Sequence, residues 1–342
     1  MKRNKIFAVL ILLLSLIIMA VHEASEEAHA KASNELPLKQ IADIALPGAT
    51  NRFDYQSYDP QTHRLFIAHL AAGTIVVFDT EAMKVITEIP NVSQVHGVLV
   101  IPELNLVYAS ATGTNEIVAI DKNTLKIVTR IPGGVYPDGL AYAPDVHKLY
   151  VSDQSGETET VIDTQTNKRI ATISLEGEAG NTQFDPVSKH IFVNVQTRNE
   201  LVEIDPNKDT IVARHPLPGA NHNHGLLIEP SQHLAFIACE GNAKLIVFDM
   251  QSMKVIATDS VGKSPDVLAF DDGLHLLYVA SESGMVSVFK EQGKVLKKVG
   301  EGVLASNAHS VAVDQQTHRA YFPIQNLKGK PVLRIMEPAI AN

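Results

Sequence analysis

A short sequence pattern recurs seven times along the 342-residue chain, and this repetition limits the fold more than any other feature. Three copies read HGVLVIPELNLVYASA, DGLAYAPDVHKLYVSD and HGLLIEPSQHLAFIAC. Successive copies begin 42 or 43 residues apart, and their first residues are Asp54, His96, Asp138, Asn181, His224, Asp266 and His309. A constant period of this length is typical of architectures in which each copy is one supersecondary unit.

Each copy contains four short segments with the composition of β-strands. An alternating first segment such as GLAY is followed by LYVS or LFIA, then by TIVVFD or EIVAID, and finally by KVITEIP or KIVTRIP. These segments are rich in Val and Ile, and Gly, Pro, Asn and Asp separate them. Four strands per repeat predict the blades of a propeller. The chain is therefore predicted to be all-β, a seven-bladed β-propeller of four-stranded blades.

The two ends of the repeat region complement each other. The seventh copy supplies three strands and then ends, whereas LKQIADI at residues 38–44 resembles the fourth strands KVITEI and LKIVTRI. We predict that this N-terminal strand completes the last blade. The ring would then close without leaving an open sheet edge between its ends.

The first thirty residues have the pattern of a secretory signal peptide. A basic start, MKRNK, precedes sixteen residues that are apolar except for one serine, and AHA at 28–30 fits a cleavage site. We expect residues 1–30 to be removed and residues 31–342 to form a single propeller domain. The mature protein would be secreted or periplasmic and would have no membrane span.

Charge and cysteine content limit the partners and the sources of stability. The net charge is −9 and no basic stripe is present, so nucleic acid is not an expected partner. The single cysteine excludes an internal disulfide, and stability must come from the core. Because a closed ring needs no partner to bury its edges, we expect a monomer.

The segments KLYVSD and LLYVAS, followed by V-x-D and D-T-x-T-x-K-x-I, resemble the YVTN-repeat β-propeller family, which includes the YncE-like exported proteins. The resemblance covers residues 36–338 and implies the propeller fold. It does not assign a function, since propellers host many unrelated activities. Some YncE-like members are associated with single-stranded DNA. That activity needs aromatic stacking and a basic track, and this chain is acidic and lacks Trp.

The first residue of each copy is predicted to lie at the mouth of the central channel, because the first strand of a blade is innermost. Three of these residues are histidines, separated by three, two and two blades around the ring: His96, His224 and His309. Their imidazoles are predicted to converge on one metal ion, with Zn, Cu or Fe favoured over Ca or Mg. Alternatively, the polar mouth only holds water and hydrogen-bonds neighbouring turns.

Other polar residues are expected at or near the same mouth. The candidates for ligand binding are Arg52, Asp54, Asp138, Asn181 and Asp266. Further candidate metal ligands are His69, Asp153, His222, Cys239 and Glu240. For His222 a solvated loop position is the alternative, and for Cys239 a small buried hydrophobe is the alternative.

Two recurrent positions outside the mouth are interpreted as structural. One is the turn between the first and second strands, which carries His63, His147, His233, His275 and His318. The other begins the hairpin between the third and fourth strands, where Asp accepts hydrogen bonds from turn amides; it carries Asp79, Asp121, Asp163, Asp205 and Asp249.

Three functions are compatible with this pattern. The first is a binding or scaffold propeller that holds a small molecule, a metal ion or a protein partner at the mouth. The second is a metal-dependent hydrolase of the lactonase type, since PDGL at 137–140 resembles the mouth of gluconolactonase-type and regucalcin-type propellers and a metal would activate water there. The third is a metal-handling or redox-associated propeller. The chain lacks the sequence motifs of an activated serine, a phosphate loop or a dinucleotide fold.

Overall fold

A computed structural model describes residues 35–339. The predicted signal peptide lies outside these residues, so its removal and the predicted export stay predictions. No helix among the described residues is both long and apolar enough to cross a membrane.

The described chain is built from 28 β-strands. The strands of the first half are β1 Leu38–Ala45, β2 Gln56–Asp59, β3 Arg64–His69, β4 Thr74–Asp79, β5 Lys84–Ile89, β6 Val95–Ile101, β7 Leu106–Ala111, β8 Glu116–Asp121, β9 Ile127–Pro132, β10 Pro137–Ala143, β11 Lys148–Asp153, β12 Thr158–Asp163, β13 Lys168–Ser174 and β14 Ala179–Phe184. Those of the second half are β15 Ile191–Val195, β16 Glu200–Asp205, β17 Thr210–Pro216, β18 Asn223–Glu229, β19 Leu234–Cys239, β20 Lys244–Asp249, β21 Lys254–Ser260, β22 Pro265–Asp271, β23 Leu276–Ser281, β24 Met285–Gln292, β25 Val295–Val303, β26 Ala312–Asp314, β27 Arg319–Leu327 and β28 Lys330–Pro338. Short 3-10 helices span Leu70–Ala72, Pro102–Leu104, Thr112–Thr114, Pro144–Val146 and Glu240–Asn242.

The strands form seven four-stranded antiparallel sheets, as the repeat predicted. Blade 1 is β2 to β5, and each following group of four consecutive strands forms the next blade up to β22 to β25 in blade 6. Blade 7 has the order β26-β27-β28-β1. The prediction that the N-terminal strand completes the last blade is therefore confirmed. Arg334 of β28 donates to both carboxylate oxygens of Asp43 of β1 at 2.8 Å, which adds an ion pair to the closing ladder.

The innermost strand of each blade contacts the innermost strand of the next, and β26 contacts β2, so the ring is closed. Seven clusters of buried apolar side chains each combine residues of two adjacent blades. At the closing interface, Phe78 of blade 1 packs with Tyr321 and Leu333 of blade 7. Burial between blades, rather than within one sheet, supplies the core that a chain without disulfides requires.

The two recurrent turn positions have structural roles, as interpreted from the sequence. The five turn histidines all have a left-handed backbone, with φ between 49° and 58°. The corresponding residues of blades 2 and 4, Asn105 and Lys189, have the same conformation. In the hairpins, the recurrent aspartate accepts backbone N–H groups two and three residues later; Asp79, for example, accepts from Glu81 and Ala82.

We predict that a chain lacking residues 35–45 is less stable than the full chain by roughly 5 kcal/mol, because burial of each Leu or Ile side chain contributes about 1.5–3 kcal/mol. Leu38, Ile41 and Ile44 pack against neighbouring blades from this strand. Urea unfolding measures the difference, and a synthetic peptide of residues 36–46 should restore stability, whereas a scrambled peptide should not. Equal stability of the truncated and full chains would contradict ring closure by β1.

Candidate functional site

The seven first residues of the repeats lie in or just before the innermost strands of the blades, and all seven are buried. Four of them are the second residue of an innermost strand: His96 in β6, Asp138 in β10, His224 in β18 and Asp266 in β22. The repeat therefore places chemically different side chains at one geometric position of successive blades.

Glycines next to four ring residues allow neighbouring inner strands to approach closely. A Cβ atom on Gly225 would lie 2.0 Å from the carbonyl oxygen of Asp266, and one on Gly97 would lie 2.1 Å from that of Asp138. A larger residue at either position would push the adjacent blade outward. The sequence His-Gly thus serves both to present a mouth histidine and to bring the next acidic residue near it.

The mouth encloses a cavity of about 430 Å³. Its lining includes Arg52, Asp54, His96, Asp138, His224, Glu240 and Asp266, together with Tyr55 and Tyr136. Asn181 lines a deeper cavity of about 150 Å³, and Tyr55 lines both cavities. The ring residues are therefore distributed over two levels of the channel.

Two tyrosines, which the sequence analysis did not single out, contact the ring histidines. Tyr55 of blade 1 crosses the channel, and its hydroxyl lies 3.0 Å from Nε2 of His224 in blade 5. The hydroxyl of Tyr136 lies 3.1 Å from Nε2 of His96. Tyr55 directly follows ring residue Asp54, and this adjacency was the one sequence signal that pointed to it.

His96 is held by protein groups on both ring nitrogens. Its Nδ1 lies 2.9 Å from the carbonyl oxygen of Gln94 and 2.9 Å from the hydroxyl of Thr112. Burial lowers the pKa of His96, although the nearby Asp54 opposes this effect. The imidazole is therefore neutral at pH 7, with its proton on Nδ1 and its Nε2 facing Tyr136.

His309 is also held on both nitrogens, but by two acceptors. Nδ1 lies 2.8 Å from Oδ2 of Asp266, and Nε2 lies 2.9 Å from the carbonyl oxygen of Phe53. Burial opposes protonation of His309, yet the hydrogen bond and charge of Asp266 outweigh burial and raise its pKa. Because an acceptor lies at each ring nitrogen, protonated His309 would donate to both partners.

His224 differs from the other two ring histidines because it retains an unpaired atom. Its Nε2 lies 3.5 Å from Oδ1 of Asp266 and 3.9 Å from Oδ2 of Asp138, while its Nδ1 is buried without a hydrogen-bond partner among the described residues. Burial opposes protonation, but the surrounding carboxylates, Asp266 first, raise its pKa. The Oδ1 atoms of Asp138 and Asp266 are likewise buried and have no hydrogen-bond partner among the described residues.

The three ring histidines do not converge on one point, which corrects the geometry predicted from the sequence. The sets whose ligand atoms lie within 4.8 Å of one another contain a single histidine each: His224 with Glu240 and Asp266, and His309 with Asp266 and Glu282. His96 belongs to neither set. The three histidines are spaced almost evenly around the ring, but their imidazoles do not meet. Each imidazole forms different hydrogen bonds and therefore points in a different direction.

Three further candidate ligands lie away from the mouth, contrary to the sequence-based expectation. His69 stacks on Phe53 with ring centroids 4.1 Å apart. Asp153 accepts hydrogen bonds from Thr158, Thr160 and the Gly134 amide. Cys239 lies in an apolar cluster between blades 4 and 5, where burial raises its pKa to about 11.

His222 is exposed and does not line the mouth cavity, in agreement with the solvated-loop alternative. Its backbone instead supports the mouth, since its carbonyl oxygen accepts the Glu240 amide at 2.9 Å. Glu240 itself lines the cavity. Of the NHNH segment, His224 thus contributes its side chain to the mouth, whereas His222 contributes only its backbone.

The acidic residues of the mouth have divergent pKa values. Burial raises the pKa of Asp54 and of Asp138 to about 6. Burial also opposes ionisation of Asp266, but the hydrogen bond and charge of His309 and the other nearby cations outweigh it and lower its pKa to about 2. The mouth therefore contains one firmly ionised carboxylate beside two that titrate just below neutral pH.

The similarities to known proteins are structural. No protein-family model matches the chain, and no curated protein matches it significantly. The fold is similar to hydrazine synthase of Kuenenia stuttgartiensis, with a TM-score of 0.72, 14% identity, and coverage of 88% of this chain and 98% of that one. It is also similar to the structure of U3-55K, with a TM-score of 0.75, 10% identity, and coverage of 87% and 100%. At these identities the likeness shows the propeller fold alone.

We predict that Asp138→Asn flattens the pH dependence of stability between pH 4 and pH 7. Because the folded-state pKa of Asp138 is raised, the stability that its protonated form adds to the folded protein is fully present below pH 3.8 and is lost as the pH rises through about 6. The difference between the unfolded-state and folded-state pKa values corresponds to roughly 3 kcal/mol in the free energy of unfolding. Urea unfolding of chelator-treated protein at several pH values measures the effect.

Asp163→Asn is the matched control for this prediction. Hydrogen bonds from the hairpin lower the pKa of Asp163, so its titration lies below the tested window. This variant should keep the wild-type slope. An Asp138→Asn profile parallel to the wild type would show that Asp138 does not titrate in the folded mouth.

Proposed function

We propose that the protein is a binding propeller that holds one transition-metal ion, of the kind represented by Zn²⁺, at its channel mouth through His224, Glu240 and Asp266. One observation carries this proposal: the three side chains bring a nitrogen and two carboxylate oxygens within 4.8 Å of one another at the mouth cavity. The unpaired Nδ1 of His224 and Oδ1 of Asp266 support it, because buried polar atoms without partners are costly.

The donor set fits the chemistry of such an ion. Zinc binds imidazole nitrogen and carboxylate oxygen at about 2.0–2.2 Å in tetrahedral geometry, so neighbouring ligand atoms of one ion lie about 3.5 Å apart. Small rotations of the side chains would bring the three groups from within 4.8 Å of one another to that separation. Two carboxylates would balance the charge of a divalent ion, and the imidazole favours a transition metal over Ca²⁺ or Mg²⁺.

The biological setting is part of the same proposal. The repeat segments resemble YVTN-type, YncE-like exported propellers, and the N-terminal pattern supports secretion to a periplasm or the medium. A small molecule or protein partner would then contact the ion from the open side of the mouth. The rigid ring would act as the platform that keeps the ligands in place.

A hydrolase of the lactonase type is the second proposal, and Asp138 is the observation that favours it. Its carboxylate lies 3.9 Å from Nε2 of His224, and burial raises its pKa to about 6, which suits a general acid or base near neutral pH. A bound ion would supply Lewis-acid polarisation of a carbonyl group. Hydrolysis of simple lactones by zinc-loaded protein, abolished in Asp138→Asn while zinc is retained, would establish this activity.

We predict that untagged mature protein, residues 31–342, binds one Zn²⁺ per chain after chelator treatment. His224→Ala and Glu240→Gln should each weaken binding by roughly tenfold or more, because each removes a direct ligand. Isothermal titration calorimetry gives the affinity, and elemental mass spectrometry gives the stoichiometry. Far-ultraviolet circular dichroism checks that the variants fold.

His96→Ala is the matched control, since it removes another buried histidine of the same ring that lies outside both ligand sets. Zinc affinity should remain within about twofold of wild type, as its nitrogens already contact protein groups. Equal losses in His96→Ala and His224→Ala would contradict the proposed ligand set. Absence of zinc binding in the wild type would overturn the metal-binding function.

A further inference from the structure

The mouth contains a second ligand-like set, Asp266, Glu282 and His309, in which a cation is already present. We infer that the guanidinium of Arg52 occupies this second cation site and thereby limits the mouth to one metal ion. This inference rests on the proposed metal-binding function, because the position of Arg52 would explain why two adjacent sets of ligands bind only one metal ion.

Contacts of Arg52 place its charge within the second set. Its Nη1 donates to Oε1 of Glu282 at 2.7 Å, and its Nη2 lies 3.7 Å from Oδ2 of Asp266. The same Nη2 lies 3.5 Å from Nδ1 of His309. One guanidinium thus faces all three members of the set.

Among the described residues, no arginine or lysine forms an ion pair with His224 or Glu240 of the first set. The side-chain contacts of Arg52 to acidic groups involve Asp54, Asp266 and Glu282, and Glu240 is not among them. On the Arg52 side, Oδ2 of Asp266 is hydrogen-bonded to His309. On the His224 side, Oδ1 lies 3.5 Å from Nε2 of His224 and has no hydrogen bond within residues 35–339. Asp266 is therefore shared by a set that is internally satisfied and a set that is not.

The orientation of His309 is the one that a metal ligand would need. Its Nε2 faces the carbonyl oxygen of Phe53 at 2.9 Å, which leaves Nδ1 directed at Asp266 and Arg52. Ligating histidines characteristically donate their second N–H to a carbonyl or carboxylate, and this contact fixes the ring. With the guanidinium removed, Nδ1 of His309 and the carboxylates of Asp266 and Glu282 would face one shared position that a divalent cation could occupy.

Arg52 can play this role because of its position and chemistry. It belongs to the loop that joins β1 to β2, so it enters the mouth from outside the ladder of the blade. Its side chain is 35% exposed, whereas that of Asp266 is 4% exposed. A guanidinium stays charged at any pH the protein encounters and offers a planar set of donors to several acceptors.

We test the inference with Arg52→Gln, which removes the charge and keeps a polar side chain of moderate length. Zinc stoichiometry should rise by one ion per chain relative to wild type, as measured by elemental mass spectrometry after equilibrium dialysis against Zn²⁺. The double variant Arg52→Gln/Glu282→Gln should return to the wild-type value. Thermal unfolding of the metal-free variants establishes that both fold.

Two further arginine variants separate charge from other effects. Arg52→Lys keeps a cation at the second set and should not gain an ion. Arg198→Gln removes an arginine that pairs with Glu200 on blade 4, away from the mouth set, and should also bind as the wild type does. A gain of one ion confined to Arg52→Gln supports the inference.

The outcomes distinguish this inference from the proposed function. An unchanged stoichiometry of one in Arg52→Gln overturns the inference and leaves the proposed function in place. No zinc in the wild type but one ion in Arg52→Gln supports the second site and overturns the proposed function. No zinc in either protein overturns both.

Discussion

The close packing of inner strands around the channel is the constraint on which the rest of this structure depends. At Gly225 the backbone approaches Asp266 so closely that a single added Cβ atom would lie 2.0 Å from its carbonyl oxygen. The same relation joins Gly97 to Asp138. Because each blade is wedged between two others, and β1 closes the last one, no inner strand can shift alone. The ring thereby fixes the side chains that it presents at the mouth.

This rigidity explains how the mouth tolerates a concentration of buried charge. Ionised carboxylates are expensive to bury unless cations or hydrogen bonds compensate them. Asp266 has such compensation from His309, and its pKa falls, whereas the pKa values of Asp54 and Asp138 rise because burial dominates. The unpaired oxygens of Asp138 and Asp266 mark the side of the mouth where compensation is incomplete. A bound cation would compensate the negative charge on that side of the mouth, whereas Arg52 already compensates it on the other side.

Most of the fold could be predicted from the sequence, because a propeller repeats one set of local rules. The seven copies of the repeat predicted seven blades, and the composition of the segments in each copy predicted four β-strands per blade. The segment LKQIADI identified the strand that closes the ring. The site was harder to predict, because periodicity gives a residue its position and not its hydrogen-bond partners. The side chains of His96, His224 and His309 occupy equivalent positions, yet Gln94, Tyr55 and Phe53 orient them differently.

A second difficulty was the direction of side chains at the end of the second strand. Cys239 is the last residue of β19 and Glu240 is the first residue of the 3-10 helix that follows, and their two side chains point to different sides. Cys239 enters the apolar cluster between two blades, while Glu240 faces the mouth. His69 and Asp153 occupy the same position as Cys239, at the end of the second strand, and also lie away from the mouth. The apolar character of Ala111 and Val195 at the equivalent positions was a signal that this position is buried within the blades.

The most direct measurement is anomalous diffraction at the zinc absorption edge from crystals of the mature protein equilibrated with Zn²⁺. We predict one strong peak at the mouth, within about 2.3 Å of a His224 nitrogen and of one oxygen each from Glu240 and Asp266. The guanidinium of Arg52 should remain against Glu282 in the same crystal. A peak centred on His96, or zinc only at scattered surface residues, would contradict the proposed site.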